Sequence, residues 1–315
     1  MKTLRLAPDE SGLATAAELL RRGQTVAMPT ETVYGLAGDA RNGEAVAAIY
    51  AAKGRPRFNP LIVHVAGLAE AEAIAEFSTE ARALAQAFWP GALTLVLPLR
   101  AKAGIASLVA AGLDTVAIRV PAASAAQALL RSFGGPLAAP SANASGRISP
   151  TSADHVLDPD GGLDGRIAAV LDAGTCPVGV ESTIIGWENG QPLMLRPGGL
   201  PSETIEAALG RPLAQHHAEP SAPSAPGQMT SHYAPNAALR LNVVQPEPGE
   251  TYLDFGHPGP LTLSAHGDLA EAAAKLFDLL RRADRLGQPI AVAPIPEHGL
   301  GVAINDRLRR AAAPR

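Results

Sequence analysis

Between Gly43 and Val65 the chain changes period once: apolar residues first recur at helical spacing (Val46, Ile49, Tyr50), then Gly54, Pro56 and Pro60 interrupt, and the apolar run LIVHV follows. A helix that feeds through a Gly- and Pro-bounded loop into a short buried strand is half of a β/α repeat. The same switch recurs along the chain and sets the fold class as α/β. Strands are expected at 4–6, 25–28, 61–65, 93–97, 115–120, 137–139, 168–172, 182–186 and 193–195. Helices are expected at 12–22, 43–53, 68–77, 79–88, 123–133 and 202–209, with another capped near Ser152. Residues 29–40, PTETVYGLAGDA, are read as a turn because Pro29, two glycines and alternating hydroxyl and apolar residues break the pattern.

With 315 residues the chain exceeds the roughly 250–300 at which single cores stop growing, so two domains are expected. The boundary is marked by composition. From Arg211 to Pro235 the chain turns to Pro, Ala, Ser and His without apolar periodicity, as linkers do. Beyond it, strands at 239–244, 251–255 and 289–293 and helices at 268–286 and 303–312 make a smaller α/β unit. The expected division is a catalytic domain at 1–210, a linker at 211–237 serving as an active-site lid, and a C-terminal domain at 238–315.

A net charge of -4 gives no global basic field, which argues against tight binding to bulk nucleic acid. The single cysteine, Cys176, excludes a disulfide framework and has no activating cation beside it, so a structural thiol is expected. The N-terminus MKTLRLAPDE carries no apolar core of signal-peptide length, and no stretch approaches about 18 uninterrupted apolar residues, so a cytoplasmic protein without a membrane span is expected.

The candidate chemistry lies at element ends. Lys53, Arg55 and Arg57 offer two planar forks and a compact charge within five positions, suited to phosphate, although a solvated basic loop is the competing reading. Neither a Walker loop nor GxGxxG is present. Thr30, Glu31, Thr32 and Tyr34 suit turn chemistry and ligand binding equally. His64 ends an apolar strand, where a packed histidine is the commoner case. Arg119 ends TVAIR and needs an anionic partner if buried, either a protein carboxylate or a substrate's. Ser141, Asn143, Ser145, Arg147 and Ser149 alternate along a Gly- and Pro-bounded loop, while Glu181-Ser182-Thr183 and Arg196-Pro197 place hydroxyls and a cation at further strand ends. His216, His217 and His232 in the linker lack partners at ligand spacing, so no metal site is expected from protein side chains.

The ordered blocks PTETVYGLAGDA (29–40), KGRPRFNPLIVHV (53–65), FWPGALTLVL (88–97), VAIRVP (116–121), APSANASGRISPT (139–151), VESTII (180–185), LRPGG (195–199) and SHYAP (231–235) resemble the threonylcarbamoyl-AMP synthase family in its long form. The closing AINDRLRRAA (303–312) is similar to that form's C-terminal domain. The resemblance implies a YrdC-like twisted-sheet catalytic domain and a smaller Rossmann-like domain. It implies a nucleotidyltransferase that makes threonylcarbamoyl-AMP and pyrophosphate from L-threonine, bicarbonate and ATP. By the same resemblance, Thr32, His64, Arg119, Ala139 and Ser182 are threonine contacts. Arg55, Asn59, Thr115, Ser141, Ser149, Arg196 and Tyr233 are ATP contacts, and Lys53, Arg55, Ser141 and Asn143 form the catalytic KxR and SxN set. Mg²⁺ would be held mainly through the ATP phosphates. The implied partner is a downstream threonylcarbamoyl transferase that modifies ANN-decoding tRNAs, with direct RNA binding at most secondary. A carbamoyl-transfer domain of hydrogenase maturation proteins looks similar, but those proteins carry cysteine-rich zinc modules and this chain has one cysteine.

Overall fold

The computed structural model describes residues 2–56, 58–215, 225 and 231–314, so Arg57, His216 and His217 lie outside the described residues. The chain begins β1 (Leu4–Leu6), α1 (Glu10–Arg21), β2 (Val26–Met28), β3 (Gly35–Asp39), α2 (Gly43–Lys53) and β4 (Ile62–His64). It continues α3 (Leu68–Ile74), α4 (Thr79–Phe88), β5 (Leu93–Pro98), α5 (Ser107–Ala110), β6 (Thr115–Arg119), α6 (Ser124–Phe133) and β7 (Leu137–Ala138). Then come α7 (Ala153–Val156), β8 (Ala169–Leu171), β9 (Thr183–Glu188), β10 (Gln191–Arg196), α8 (Ser202–Leu209) and β11 (Ala214–Gln215). These strands form one mixed sheet of 11, in the order β1-β8-β2-β3-β7-β4-β6-β5-β9-β10-β11. Its last strand lies inside the stretch that composition marks as linker.

The second unit is β12 (Leu239–Arg240), β13 (Thr251–Leu253), α9 (Leu269–Asp284), β14 (Ile290–Val292) and α10 (Leu300–Ala312). Its three strands run parallel in the order β12-β14-β13, as helical crossovers require. Its core includes Phe277, Leu280, Ile304 and Leu308, and is completed by Val33, Ile148 and Val180 of the first unit and by Tyr233. The two units therefore share an apolar seam.

Local chemistry sets the element ends that matter for function. Asn42 caps α2 by accepting from Glu44 and Ala45, and Gly54 closes the helix in the left-handed conformation at φ 61°, which suits a residue without Cβ. The chain is thereby turned straight into the Arg55 loop. Val46 and Ile49 on α2 are fully buried under the sheet, each contributing about 1.5–3 kcal/mol.

The turn expected across 29–40 is a turn only as far as Tyr34. Gly35–Asp39 is a buried strand paired with β2 and β7. Its glycines serve close packing rather than turning: a Cβ on Gly38 would stand 3.1 Å from Ile49, and one on Gly35 3.2 Å from Ala139.

Candidate active site

The site forms where parallel strands β4 and β6 end together, with His64 paired to Arg119 in register. Ligands of open α/β sheets gather at such carboxyl ends. Because strand side chains alternate, His64 and Ile62 share a face with Arg119, Ala117 and Thr115. The Thr30–Tyr34 turn, Ala139–Ser141, Glu181–Ser182, Arg196 and His232–Tyr233 wall the cavity around that face.

One end is built to hold a carboxylate. Arg119 is 3% exposed and donates from Nε to Gly91 O at 3.1 Å, from Nη1 to Thr32 Oγ1 at 2.9 Å and from Nη2 to Glu31 Oε1 at 2.6 Å. Three of its five N–H groups are thus engaged, leaving two for a ligand. The other Glu31 oxygen accepts from Ala122 N at 2.9 Å, at the start of α6. Burial works to raise the Glu31 pKa, but the Arg119 charge together with the hydrogen bonds from Arg119 and the backbone outweighs it and holds the carboxyl below its usual range. Glu31 holds Arg119 in place.

His64 Nδ1 lies 3.2 Å from Ile62 O. A carbonyl only accepts, so Nδ1 carries the proton and Nε2 presents a lone pair. Burial, then Arg119, brings the His64 pKa down to about 3. It is therefore a neutral acceptor for a ligand N–H or O–H and a poor general base at neutral pH. Ser182 Oγ is 2.7 Å from Thr94 Oγ1 and 3.2 Å from Arg196 Nη2, so it links this end of the site to the other.

At that other end the cations crowd. Burial brings Arg55 and Arg196 down to about 10, and the two also repel each other; burial likewise leads for Arg196. Burial followed by Arg55 pushes Lys53 well below an ordinary lysine. A pocket that raises the cost of its own cations gains most when an anion enters. Lys53 itself points into the loop, its Nζ donating to Ser141 O and Asn143 O at 2.5 Å each. It fixes the loop that carries Ser141 and Asn143. Ser149 Oγ donates to Glu181 Oε1 at 2.6 Å. Asn59 is 1% exposed with neither amide atom partnered among the described residues, and Asn143 Oδ1 is likewise unpartnered. Buried orphans of this kind call for a partner the chain does not supply.

Of the sequence-predicted residues, Thr32, Arg55, His64, Arg119, Ala139, Ser141, Ser182, Arg196 and Tyr233 line this cavity, Lys53, Asn59, Asn143 and Ser149 are buried beside it without lining it, and Thr115 lies apart. Thr115 stands four residues from Arg119 on β6, about 13 Å away along the strand, on the wall of a second cavity of about 620 Å³ with Val96, Gly186 and Leu195. Between the two cavities Ile62, Ala117 and Ile184 form an apolar floor on which Ala225 packs. Thr115 thus shares the trough without sharing the cavity.

Sequence reasoning passes over Thr94, gives Glu181 only as part of a strand-end motif, and has His232 only as a weak metal candidate. His232 lies 4.1 Å from the Tyr233 ring and lines the cavity, and burial brings it down to about 3. Its place inside SHYAP was the available signal. Cys176 is buried, and burial pushes its thiol up to about 12, as a structural thiol requires.

The two neutral histidines predict an acid sensitivity. Both pKa values fall from 6.5 to about 3 on folding, so the stability they contribute is present above pH 6.5 and lost as pH falls toward 3. Each pH unit below 6.5 costs about 1.4 kcal/mol per histidine, or about 4 kcal/mol for the pair at pH 5. Tm should fall between pH 6.5 and 5, and the His64→Gln/His232→Gln variant should flatten that fall. A Tm unchanged across this window in the wild type would refute it. Glu181 acts lower: burial raises it, but Arg307 and Arg196 hold it at about 2, so its contribution is lost only as pH falls below 4.5.

Comparison with known proteins agrees with this geometry. A family model described as Telomere recombination matches residues 18–198, and one described as Threonylcarbamoyl-AMP synthase, C-terminal domain, matches residues 200–313. The chain is 42% identical to the threonylcarbamoyl-AMP synthase of Bacillus subtilis (strain 168) over 340 residues, spanning 99% of this chain and 96% of that one. It is 40% identical to the threonylcarbamoyl-AMP synthase of Pyrococcus abyssi (strain GE5 / Orsay), spanning 98% and 96%. A crystal structure of P. abyssi Sua5 complexed with L-threonine matches with a TM-score of 0.87 at 37% identity, covering 99% of this chain and 98% of that one. The chain belongs to the threonylcarbamoyl-AMP synthase family.

Proposed function

We propose that the chain joins L-threonine, bicarbonate and ATP into threonylcarbamoyl-AMP and pyrophosphate, for later transfer to ANN-decoding tRNA by a separate threonylcarbamoyl transferase. The observation that carries this reading is the two-ended trough: a half-satisfied guanidinium and a neutral histidine at one end, destabilised buried cations at the other. Arg119 takes the threonine carboxylate, His64 Nε2 accepts from its amine or hydroxyl, and Arg55, Arg196 and Ser149 take the phosphates. The adenosine end runs over Ile62 and Ala117 toward Thr115.

In this reading the threonine amine and bicarbonate give the carbamate with loss of water. A carbamate oxygen then bonds to the α-phosphorus as the bond to pyrophosphate breaks. No protein nucleophile is required, and the chain's task is positioning and charge stabilisation. Among the described residues no group of three or more His, Cys, Asp or Glu stands together to hold a metal ion. Mg²⁺ would therefore ride on the phosphates and water, as it commonly does.

Incubation with ATP, Mg²⁺, bicarbonate and threonine should release pyrophosphate, and omission of threonine or bicarbonate should stop it. Release indifferent to either omission would end this assignment. The first cavity holds only about 50 Å³, well short of the roughly 300–1,000 Å³ of small-molecule sites. His232 and Tyr233, from the end of the linker, line it, which supports a lid role for the linker. Deleting residues 211–315 should abolish adenylate formation in the same assay, and unchanged kinetics would remove that role.

A further inference from the structure

The residue that ties the second unit to the site is Arg307, on α10. It is completely buried, 126 residues away in sequence from the carboxylate it meets: Nε donates to Glu181 Oε2 at 2.9 Å. Nη1 donates to Pro197 O at 2.8 Å and to Asp306 Oδ2 at 2.7 Å, and the guanidinium lies 5.3 Å over the Tyr233 ring. Three of these contacts reach the ATP end: Glu181 accepts from Ser149, Pro197 follows Arg196, and Tyr233 lines the cavity.

Glu181 is the awkward member of that end. A carboxylate beside a polyphosphate site repels the ligand and competes for its cations. Arg196 is the next cation near Glu181 after Arg307. With Glu181 engaged by Arg307, Arg196 is not its chief counter-ion. Tyr233 needs the same support. Its φ of 62° is a left-handed conformation that a bulky residue adopts only when its surroundings impose it. Those surroundings are Phe277, stacked at 5.6 Å, and Arg307, both from the second unit.

We infer that Arg307 is a positioning residue for ATP: it neutralises Glu181 and seats Tyr233, so this arginine of the C-terminal domain acts at the nucleotide end of the site. This rests on the ATP reading given above. Plain interdomain adhesion would give the same burial but no preference between substrates, and the experiment turns on that difference.

Arg307→Met, Glu181→Gln and the double variant are assayed for pyrophosphate release, and ATP binding is titrated separately by calorimetry. Arg307→Met should raise the KM and Kd for ATP about 10–100-fold, a range that loss of charge-assisted contacts allows, and leave the KM for threonine within about 3-fold. In the Glu181→Gln background, Arg307→Met should cost at least about 3-fold less in the ATP constants, since the uncompensated carboxylate is gone and only the seating of Tyr233 is lost. An equal rise in both KM values, or the same ATP penalty in both backgrounds, would overturn the inference. If Arg307→Met alone does not fold, comparison of the double variant with Glu181→Gln decides the matter. Wild-type release that needs neither threonine nor bicarbonate would instead condemn the underlying reading, whatever the variants do.

Discussion

Replacing Arg119 by alanine is expected to raise the KM for threonine by about 10²–10³-fold while leaving the KM for ATP within a few-fold. Two charge-assisted hydrogen bonds to the carboxylate, each worth about 1.5–3 kcal/mol, are lost together. The same change should unsettle the fold. Arg119 and Glu31 meet at 2.6 Å with side chains 4% and 10% exposed, and removing one partner of such a pair commonly costs about 3–5 kcal/mol. The Glu31→Gln/Arg119→Ala variant separates the two effects: it should recover much of the lost Tm and none of the threonine affinity. A double variant that regained threonine turnover would show that Arg119 only holds the fold. A single variant with raised KM for ATP and unchanged KM for threonine would show that the two ends of the trough have been assigned the wrong way round.

This pair also marks where the sequence stops being legible. That Arg119 needs an anion could be read from an arginine ending an apolar strand. Which anion could not, because Glu31 lies 88 residues away and the contact depends on how the Thr30–Tyr34 turn crosses the sheet. Element types were legible wherever apolar periodicity was strong, as in α6 and α9. They were not in β3, whose glycines read as a turn until the closeness of Ile49 and Ala139 gives them a packing reason. The family blocks named candidate site residues, but their directions were not legible. Lys53 reads as one more cation of a basic loop, and its Nζ donates to Ser141 O and Asn143 O. Arg307 sits in a recognisable block with nothing in its neighbours to announce that it crosses to Glu181. Partners far apart in sequence are chosen by tertiary packing, which local pattern does not encode.

Arg55→Met should move stability and nucleotide affinity in opposite directions. Arg55 is buried, donating from Nη2 to Pro60 O at 3.0 Å and more weakly from Nε to Asn59 O at 3.4 Å. Its pKa falls from 12.5 to about 10, chiefly through burial with Arg196 adding repulsion. A cation whose folded pKa is depressed destabilises the native state at every pH below both values, and here that amounts to about 3 kcal/mol at pH 7. Methionine keeps the volume and removes the charge, at the cost of the two hydrogen bonds. The ligand-free Tm should therefore hold or rise. On the function proposed above, ATP should reverse the balance, because its phosphates would turn the same buried cation from a cost into a contact. The KM for ATP should rise about 10²-fold, from loss of a charge-assisted, fork-shaped contact. Wild-type protein at about 100 times its Kd gains about 2.7 kcal/mol from ligand linkage, and so a Tm rise of several degrees with MgATP that the variant should lose at the same concentration. A variant with lower ligand-free Tm and an intact ATP-induced rise would make Arg55 a structural cation and leave Arg196 to carry the phosphates. The tension in this corner of the fold is what the nucleotide relieves, and the two melting curves measure it directly.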